Sequence, residues 1–186
     1  MLPGSLYSEY CQYACLTRDQ EAGLDRFAGG TAQRVTAGES VLRSAHAGDA
    51  VALAELDSMV NPSPWTSAQF SPACEGTGNE SIFLLEEQGQ LLGFVVYSVV
   101  LDEACIHNIA VQPKRQRDGM GRQLLLAALA AVTREGASRC YLEVRISNVA
   151  ARGLYEKYGF SKAGLRKNYY PKATGREDAL LLSCQL

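Results

Sequence analysis

Gly119 and Gly121 close the turn Gln112-Pro113-Lys114-Arg115-Gln116-Arg117-Asp118-Gly119-Met120-Gly121, where an apolar strand gives way to a helical run. Two glycines at that spacing let backbone N–H groups converge with no Cβ in the way. The free N–H groups and dipole of a helix start make an anion site, and phosphate is the usual anion. Arg122 in the first turn opposes the dipole, which makes sense if a ligand phosphate lies beside it. There is no Gly-Lys-Ser/Thr, so this is not a P-loop, and Leu124 stands where a dinucleotide fingerprint needs its third glycine. Read alone, the same residues also fit a strand, a basic loop and a core helix. Further along, Glu143 alternates with Leu142 and Val144 and so points to the opposite face of a strand. Asn148 and Tyr155 are seven apart and share one face of a helix, two turns along. His107 has a pKa suited to base catalysis, but its alternation with Cys105, Ile109 and Val111 puts it on a mostly apolar face. A packed, hydrogen-bonded histidine is the reading taken there, and His46 is read as surface.

The elements that position these side chains follow from hydrophobic period and turn chemistry. Ser40–Arg43 predicts a short strand, and Asp49 caps a helix over Ala50–Leu56. Asn61-Pro62-Ser63-Pro64-Trp65 breaks that helix, and a second short helix starts at Ser67. Composition makes Pro72–Asn79 a loop. Ile82–Glu86 and Leu91–Leu101 form a hairpin across Gln88-Gly89-Gln90. A turn at Asp102-Glu103 leads to the strand Cys105–Val111, which ends there because Pro113 cannot donate to a ladder. The helix Arg122–Val132 stops at Gly136, and the strand Cys140–Val144 follows, a right-handed parallel crossover. Ser147-Asn148 caps a helix from Val149 to about Tyr158. Two last strands, Phe160–Asn168 and Asp178–Gln185, flank Tyr169–Gly175. The expected fold is mixed α/β (α+β): about seven strands, mostly antiparallel, with helices on both faces.

Length and composition bound the function. The 186 residues fit one domain with a sizeable core. Residues 1–38, broken by Gly23, Gly29, Gly30 and Gly38, read as a poorly ordered or loosely docked extension, and residues 39–186 as the domain. Tyr7, Tyr10, Tyr13 and Leu16 permit one amphipathic helix within the extension. A net charge of −2 gives no basis for general nucleic-acid binding. No apolar run reaches the roughly 20 residues of a membrane helix, and no signal peptide is expected. Cys11-x-x-x-Cys15 lacks a second pair at zinc spacing, so no metal is expected. Cys105, Cys140 and Cys184 read as buried thiols of a cytoplasmic protein.

Gln116-x-x-Gly119-x-Gly121 after Asn-Ile-Ala-Val resembles the pyrophosphate motif of the GCN5-related N-acetyltransferases, the GNAT superfamily, which cradle coenzyme A. Leu142-Glu143-Val144-Arg145, Ser147-Asn148 and Leu154-Tyr155-x-x-x-Gly159-Phe160 resemble the second half of that core. Pro64-Trp65, Asn168-Tyr169-Tyr170-Pro171 and Gly175-Arg176-Glu177-Asp178-Ala179 are similar to the RimI group, which acetylates the N-terminal alanine of a small-subunit ribosomal protein in bacteria. The resemblance covers about Ser40 to Leu186. It implies an acyltransferase with acetyl-coenzyme A as co-substrate, a parallel strand pair at the cofactor site and a ribosomal-protein N-terminus as partner. Oligomeric state is not implied.

By that resemblance Glu143 is the general base, acting through water, and the Tyr155 hydroxyl protonates the departing thiolate. Ile109, Ala110 and Val111 would hold the thioester carbonyl through backbone N–H groups. Arg117, Asp118, Gly119, Met120, Gly121 and Arg122 would surround the pyrophosphate, and Asn148 would contact the cofactor. Trp65, Tyr169 and Tyr170 are the substrate-side candidates. The chemistry is compatible with weak catalysts, since an α-amine (pKa ~8) and a thiol (~8.5) titrate near neutrality. Two other functions fit: acetylation of a small amine, which would want an acidic cluster for a polycation, and a non-catalytic acyl-coenzyme-A-binding module, which would be expected to lack Glu143 or Tyr155.

Overall fold

The computed structural model describes residues 40–186. The expectations for residues 1–38, including the Tyr7–Leu16 helix, lie outside the described residues. The chain runs β1 (Val41–Ser44), α1 (Ala50–Val60), α2 (Ser67–Glu75), β2 (Glu80–Glu87), β3 (Gln90–Val100), β4 (Glu103–Val111), α3 (Met120–Arg134), β5 (Arg139–Arg145), α4 (Val149–Lys157), β6 (Ser161–Pro171) and β7 (Arg176–Gln185). The seven strands form one sheet in the order β1-β2-β3-β4-β5-β7-β6. β4 and β5 are its parallel pair, joined through α3, and every other pairing is antiparallel. The expected architecture is therefore present, element for element.

Each sheet face is covered by an apolar helix stripe. Leu124, Leu125, Ala128, Leu129 and Val132 recur at helical spacing on α3 and are buried against Ile106, Leu142 and Val144. Leu53 and Leu56 of α1 and Phe70 of α2 pack on the other face with Ile82, Leu84, Phe94 and Val96. Phe70 meets Phe94 edge-on at 5.3 Å between ring centroids.

Four local expectations are corrected. The segment from Pro72 is not all loop, because α2 continues through it to Glu75. A capping box between Thr66 and Gln69 starts this helix, and burial of Phe70 and Cys74, four residues apart, offsets the lost proline N–H. Asp49 does not cap α1 with its side chain; the carboxylate is bound by Arg43 at 2.7 and 2.8 Å. Tyr169–Pro171 belong to β6 rather than to a connecting loop. Cys140 and Cys184 are buried thiols, whereas Cys105 is disulfide-bonded.

Two departures from regular pairing shape the site. On β4, Asn108 faces Val96 but Ile106 faces Tyr97, so His107 is the extra residue of a β-bulge. The bulge reverses the side-chain alternation: Ala104 and Ile106 pack on the α3 side before it, and Ile109 and Val111 pack there after it. On β6, Arg166 faces Ala179 but Tyr170 faces Glu177, leaving extra residues around Asn168, whose φ is +52°. Asp178 secures that bulge by accepting the Asn168 N–H at 2.9 Å.

Candidate active site

The turn before α3 has the geometry that its glycines imply. Gly119 precedes α3 at φ +82°, a left-handed conformation that favours glycine. The first helical bond runs from the Gln123 N–H to the Gly119 carbonyl at 3.1 Å, and no side chain caps the helix. The N–H groups of Met120, Gly121 and Arg122 therefore precede the ladder. A Cβ at Gly119 would meet nothing within 4 Å, and one at Gly121 would meet only Leu154 at 3.7 Å. Packing within the chain does not demand glycine at 121, whereas a ligand seated against the backbone would. Arg117, itself at φ +72°, lines a cleft of about 690 Å³ with Asn148, Val149 and Leu154. Asp118 is tied to Arg115 at 3.0 Å, and Arg122 donates to the Tyr158 hydroxyl at 2.6 Å.

A gap opens in the sheet because β4 and β5 pair only briefly. Their register covers Glu103–Arg139, Ala104–Cys140 and Cys105–Tyr141, and then the strands part. Beyond that point β4 continues on β3 to Val111, and β5 continues on β7 to Arg145. Their facing edges carry backbone N–H and C=O groups with no ladder partner across the gap. Ile109, Ala110 and Val111 lie on one edge, and Asn148 lies beyond the end of the other. The Asn148 side chain caps α4 by accepting the Ala151 N–H at 3.1 Å.

On the α1–α2 side the gap widens into a pocket of about 260 Å³, which Glu143, Trp65, Tyr169 and Tyr170 line together with Ile109–Val111 and Asn148. The Glu143 side chain is 2% exposed and meets Arg166 Nε at 2.6 Å. Burial pushes its pKa up, against the Arg166 charge and a Tyr169 hydrogen bond that pull it down. Tyr169 and Tyr170 meet edge-on at 4.9 Å, and the Arg166 guanidinium lies 5.2 Å from the Tyr169 ring centre.

Residues 50–160 match the acetyltransferase (GNAT) family. The chain belongs to the GNAT acetyltransferase family. It is similar to the ribosomal protein bS18-alanine N-acetyltransferase of Escherichia coli K12, 39% identical over 73% of this chain and 90% of that protein. The protein of that name from Haemophilus influenzae is 38% identical over 79% of this chain and 99% of its own length. The crystal structure of the E. coli ribosomal-protein-S18-alanine N-acetyltransferase superposes with a TM-score of 0.73 at 36% identity, covering 79% of this chain and 94% of that one. An Arabidopsis thaliana NAA60 structure, 17% identical, shares the fold with a TM-score of 0.73 over 80% of this chain and 99% of its own. The protein is thus a GNAT acyltransferase, and this family uses acetyl-coenzyme A.

Tyr155 of this GNAT domain borders neither cavity. It is 3% exposed, with its ring against Phe160 at 5.5 Å between centroids. Burial, and then the charge that Tyr170 would carry, push its pKa well above the ordinary phenol. His107 does face the pocket, with Nε2 2.7 Å from the Ser98 hydroxyl and its ring 6.4 Å from that of Trp65. The apolar face read for it is undone by its own bulge.

Two pocket residues and one partner of a pocket residue were missed in the sequence. Asp57 on α1 is fully buried, accepting the Trp65 N–H at 2.7 Å and the Asn108 side-chain amide at 3.0 Å. Burial raises its pKa. Its signal was available: a carboxylate four residues after Leu53, on the apolar stripe of its helix. Arg145 joins the two pocket walls, reaching Ser63 at 3.4 Å, the Pro171 carbonyl at 3.0 Å and Glu177 at 2.9 Å. Its guanidinium also stacks 4.3 Å from the Tyr170 ring centre. Arg166, the partner of Glu143, is the third, and nothing short-range in the sequence marks it. Among the described residues no cluster of His, Cys, Asp or Glu could hold a metal, and no helix is long and apolar enough to cross a membrane.

Proposed function

We propose that this chain acetylates the N-terminal α-amine of a protein, namely the N-terminal alanine of small-subunit ribosomal protein bS18, in the cytoplasm. The observation that carries this reading is the buried Glu143 carboxylate in a narrow pocket walled by Trp65, Tyr169 and Tyr170, open to the β4–β5 gap. The names of the relatives and their coverage of nearly the whole domain support the choice of substrate.

Acetyl-coenzyme A, when bound, supplies the acyl group as a thioester. The N–H groups of Met120, Gly121 and Arg122 hold its pyrophosphate with Arg117, and Asn148 contacts it in the gap. Backbone N–H groups along Ile109–Val111 hold the acyl oxygen as negative charge develops on it. Glu143 receives the proton of the incoming amine, through water where the amine does not reach the carboxylate. The family resemblance gives the Tyr155 hydroxyl the proton donated to the leaving thiolate; the residue is buried beside Leu154 of the cleft wall rather than in either cavity, and burial, which holds its proton more tightly, works against that transfer. An α-amine, with a pKa of ~8, is neutral in appreciable fraction at pH 7–8, while a lysine amine at ~10.4 is not. A weakly basic carboxylate therefore matches the α-amine.

Against acetylation of a polyamine, the acidic groups at the pocket are already engaged: Asp57 by Trp65 and Asn108, Glu143 by Arg166, and Glu177 by Arg145. A panel of peptides differing only in the first residue tests the reading. The value of kcat/KM is expected to be highest for alanine and to fall as the side chain grows. Preference for spermidine over every peptide would overturn it.

A further inference from the structure

Arg166 and Glu143 lie on strands that are not neighbours. Glu143 of β5 faces Leu181 of β7, and Arg166 of β6 faces Ala179 of the same β7. Directly paired residues share a face, as do residues two apart on a strand, so all four point to one side. Two strand spacings and a two-residue offset along the strands put their backbones roughly 12 Å apart. The pair therefore runs diagonally across β7, past Leu181 and Ala179, and only two long side chains extended toward each other can bridge it. The contact is short, 2.6 Å from Arg166 Nε to Glu143 Oε1. Tyr169 fixes both partners, with its ring 5.2 Å from the guanidinium and its hydroxyl bonded to the Glu143 carboxylate. The β6 bulge brings Tyr169 there, since regular pairing beyond Arg166 would place it out of step.

We infer that Arg166 is a positioning residue for acetyl transfer, reaching across β7 to hold the buried Glu143 carboxylate ionised and aimed into the pocket. The inference rests on the reading of Glu143 as the base. A carboxylate removed from water takes up a proton unless a cation compensates it. Among the described residues, the other charged or titratable groups around it do not supply that cation. On β5, Arg145 is committed to Glu177 of β7 and to the Pro171 carbonyl. His107 on β4 is bonded to Ser98, Asp57 on α1 is itself acidic, and Tyr155 on α4 and Tyr170 on β6 carry no positive charge. Arg166 is the cation in contact with the carboxylate, and its side chain is still 33% exposed, so it holds Glu143 without sealing the pocket.

The test tracks the Glu143 carboxyl carbon by NMR as pH is varied, in the protein alone, beside the pH profile of kcat/KM for an alanine-first peptide. In Arg166→Gln both midpoints should rise by about one unit, lowering activity about tenfold on the acid side and much less above pH 8. Arg166→Lys, which keeps a charge, should recover part of the shift. A merely structural role would lower activity at every pH and leave both midpoints in place. An NMR midpoint unchanged in Arg166→Gln overturns the inference. A midpoint that moves while the activity profile does not also overturns it; if Glu143→Gln is then fully active, the fault lies in the reading of Glu143 as the base.

Discussion

Replacing Gly119 separates ligand binding from folding. Gly119 sits at φ +82°, and a Cβ there would meet nothing within 4 Å, so a side chain fits and only the backbone conformation resists it. That strain is about 1–2 kcal/mol for an ordinary L-residue. For a domain of this size it lowers the melting temperature by roughly 2–8 °C, which leaves the protein folded at 25 °C. Gly119→Ala should show this and little else. Gly119→Asp adds a negative charge at the uncapped end of α3, where the pyrophosphate is proposed to lie. Two unit charges about 4 Å apart interact by about 4 kcal/mol at an effective dielectric constant near 20. The affinity for acetyl-coenzyme A should then fall roughly 10³-fold. Titration calorimetry with the cofactor, beside a thermal melt of each variant, measures both terms. Cofactor affinity within a few-fold of the parent in a folded Gly119→Asp protein would refute the phosphate-turn assignment.

Tyr155→Phe keeps the ring that packs on Phe160, so stability should hold while kcat falls roughly 10²–10⁴-fold with KM little changed; near-parental kcat would reduce Tyr155 to a packing residue. Asp57→Ala leaves the Trp65 N–H and the Asn108 amide without their acceptor and should cost about 2–4 kcal/mol. A thermal melt should register this as a fall of roughly 4–16 °C, with a raised peptide KM as the Trp65 wall loosens, and an unchanged melt would show that the network is dispensable. Deleting residues 1–38 should leave activity and melting temperature nearly as they were; an insoluble or inactive remainder would make that segment part of the core or of an interface.

Most of the architecture was legible because period and punctuation agreed. α3 carries an unbroken apolar stripe, Gly136 follows its end, and the hairpin turns carry glycine or charge. What was not legible depended on register. The bulge at His107 reverses which face the following residues occupy, and nothing in Ile106-His107-Asn108 announces it. Pro72–Asn79 read as a loop because its composition is plain, whereas the buried contacts of Phe70 and Cys74 that carry α2 through Pro72 are tertiary. At the candidate site, the glycine turn before α3, Glu143 and Asn148 were singled out by spacing and resemblance. Arg166 could not be, since its role arises from strand order: β7 inserts between β5 and β6, and only then do residues 143 and 166 share a face. Asp57 could have been found as the charge on an apolar stripe.

The acceptor proposed for this enzyme is an α-amine at a chain end. The most direct measurement mixes enzyme, acetyl-coenzyme A and a peptide beginning Ala-Arg-Tyr that also contains lysines, then locates added mass by tandem mass spectrometry. One acetyl group on the α-amine, and none on the same peptide with that amine blocked, is the predicted result. Efficient acetylation of the blocked peptide at its lysines would contradict the account.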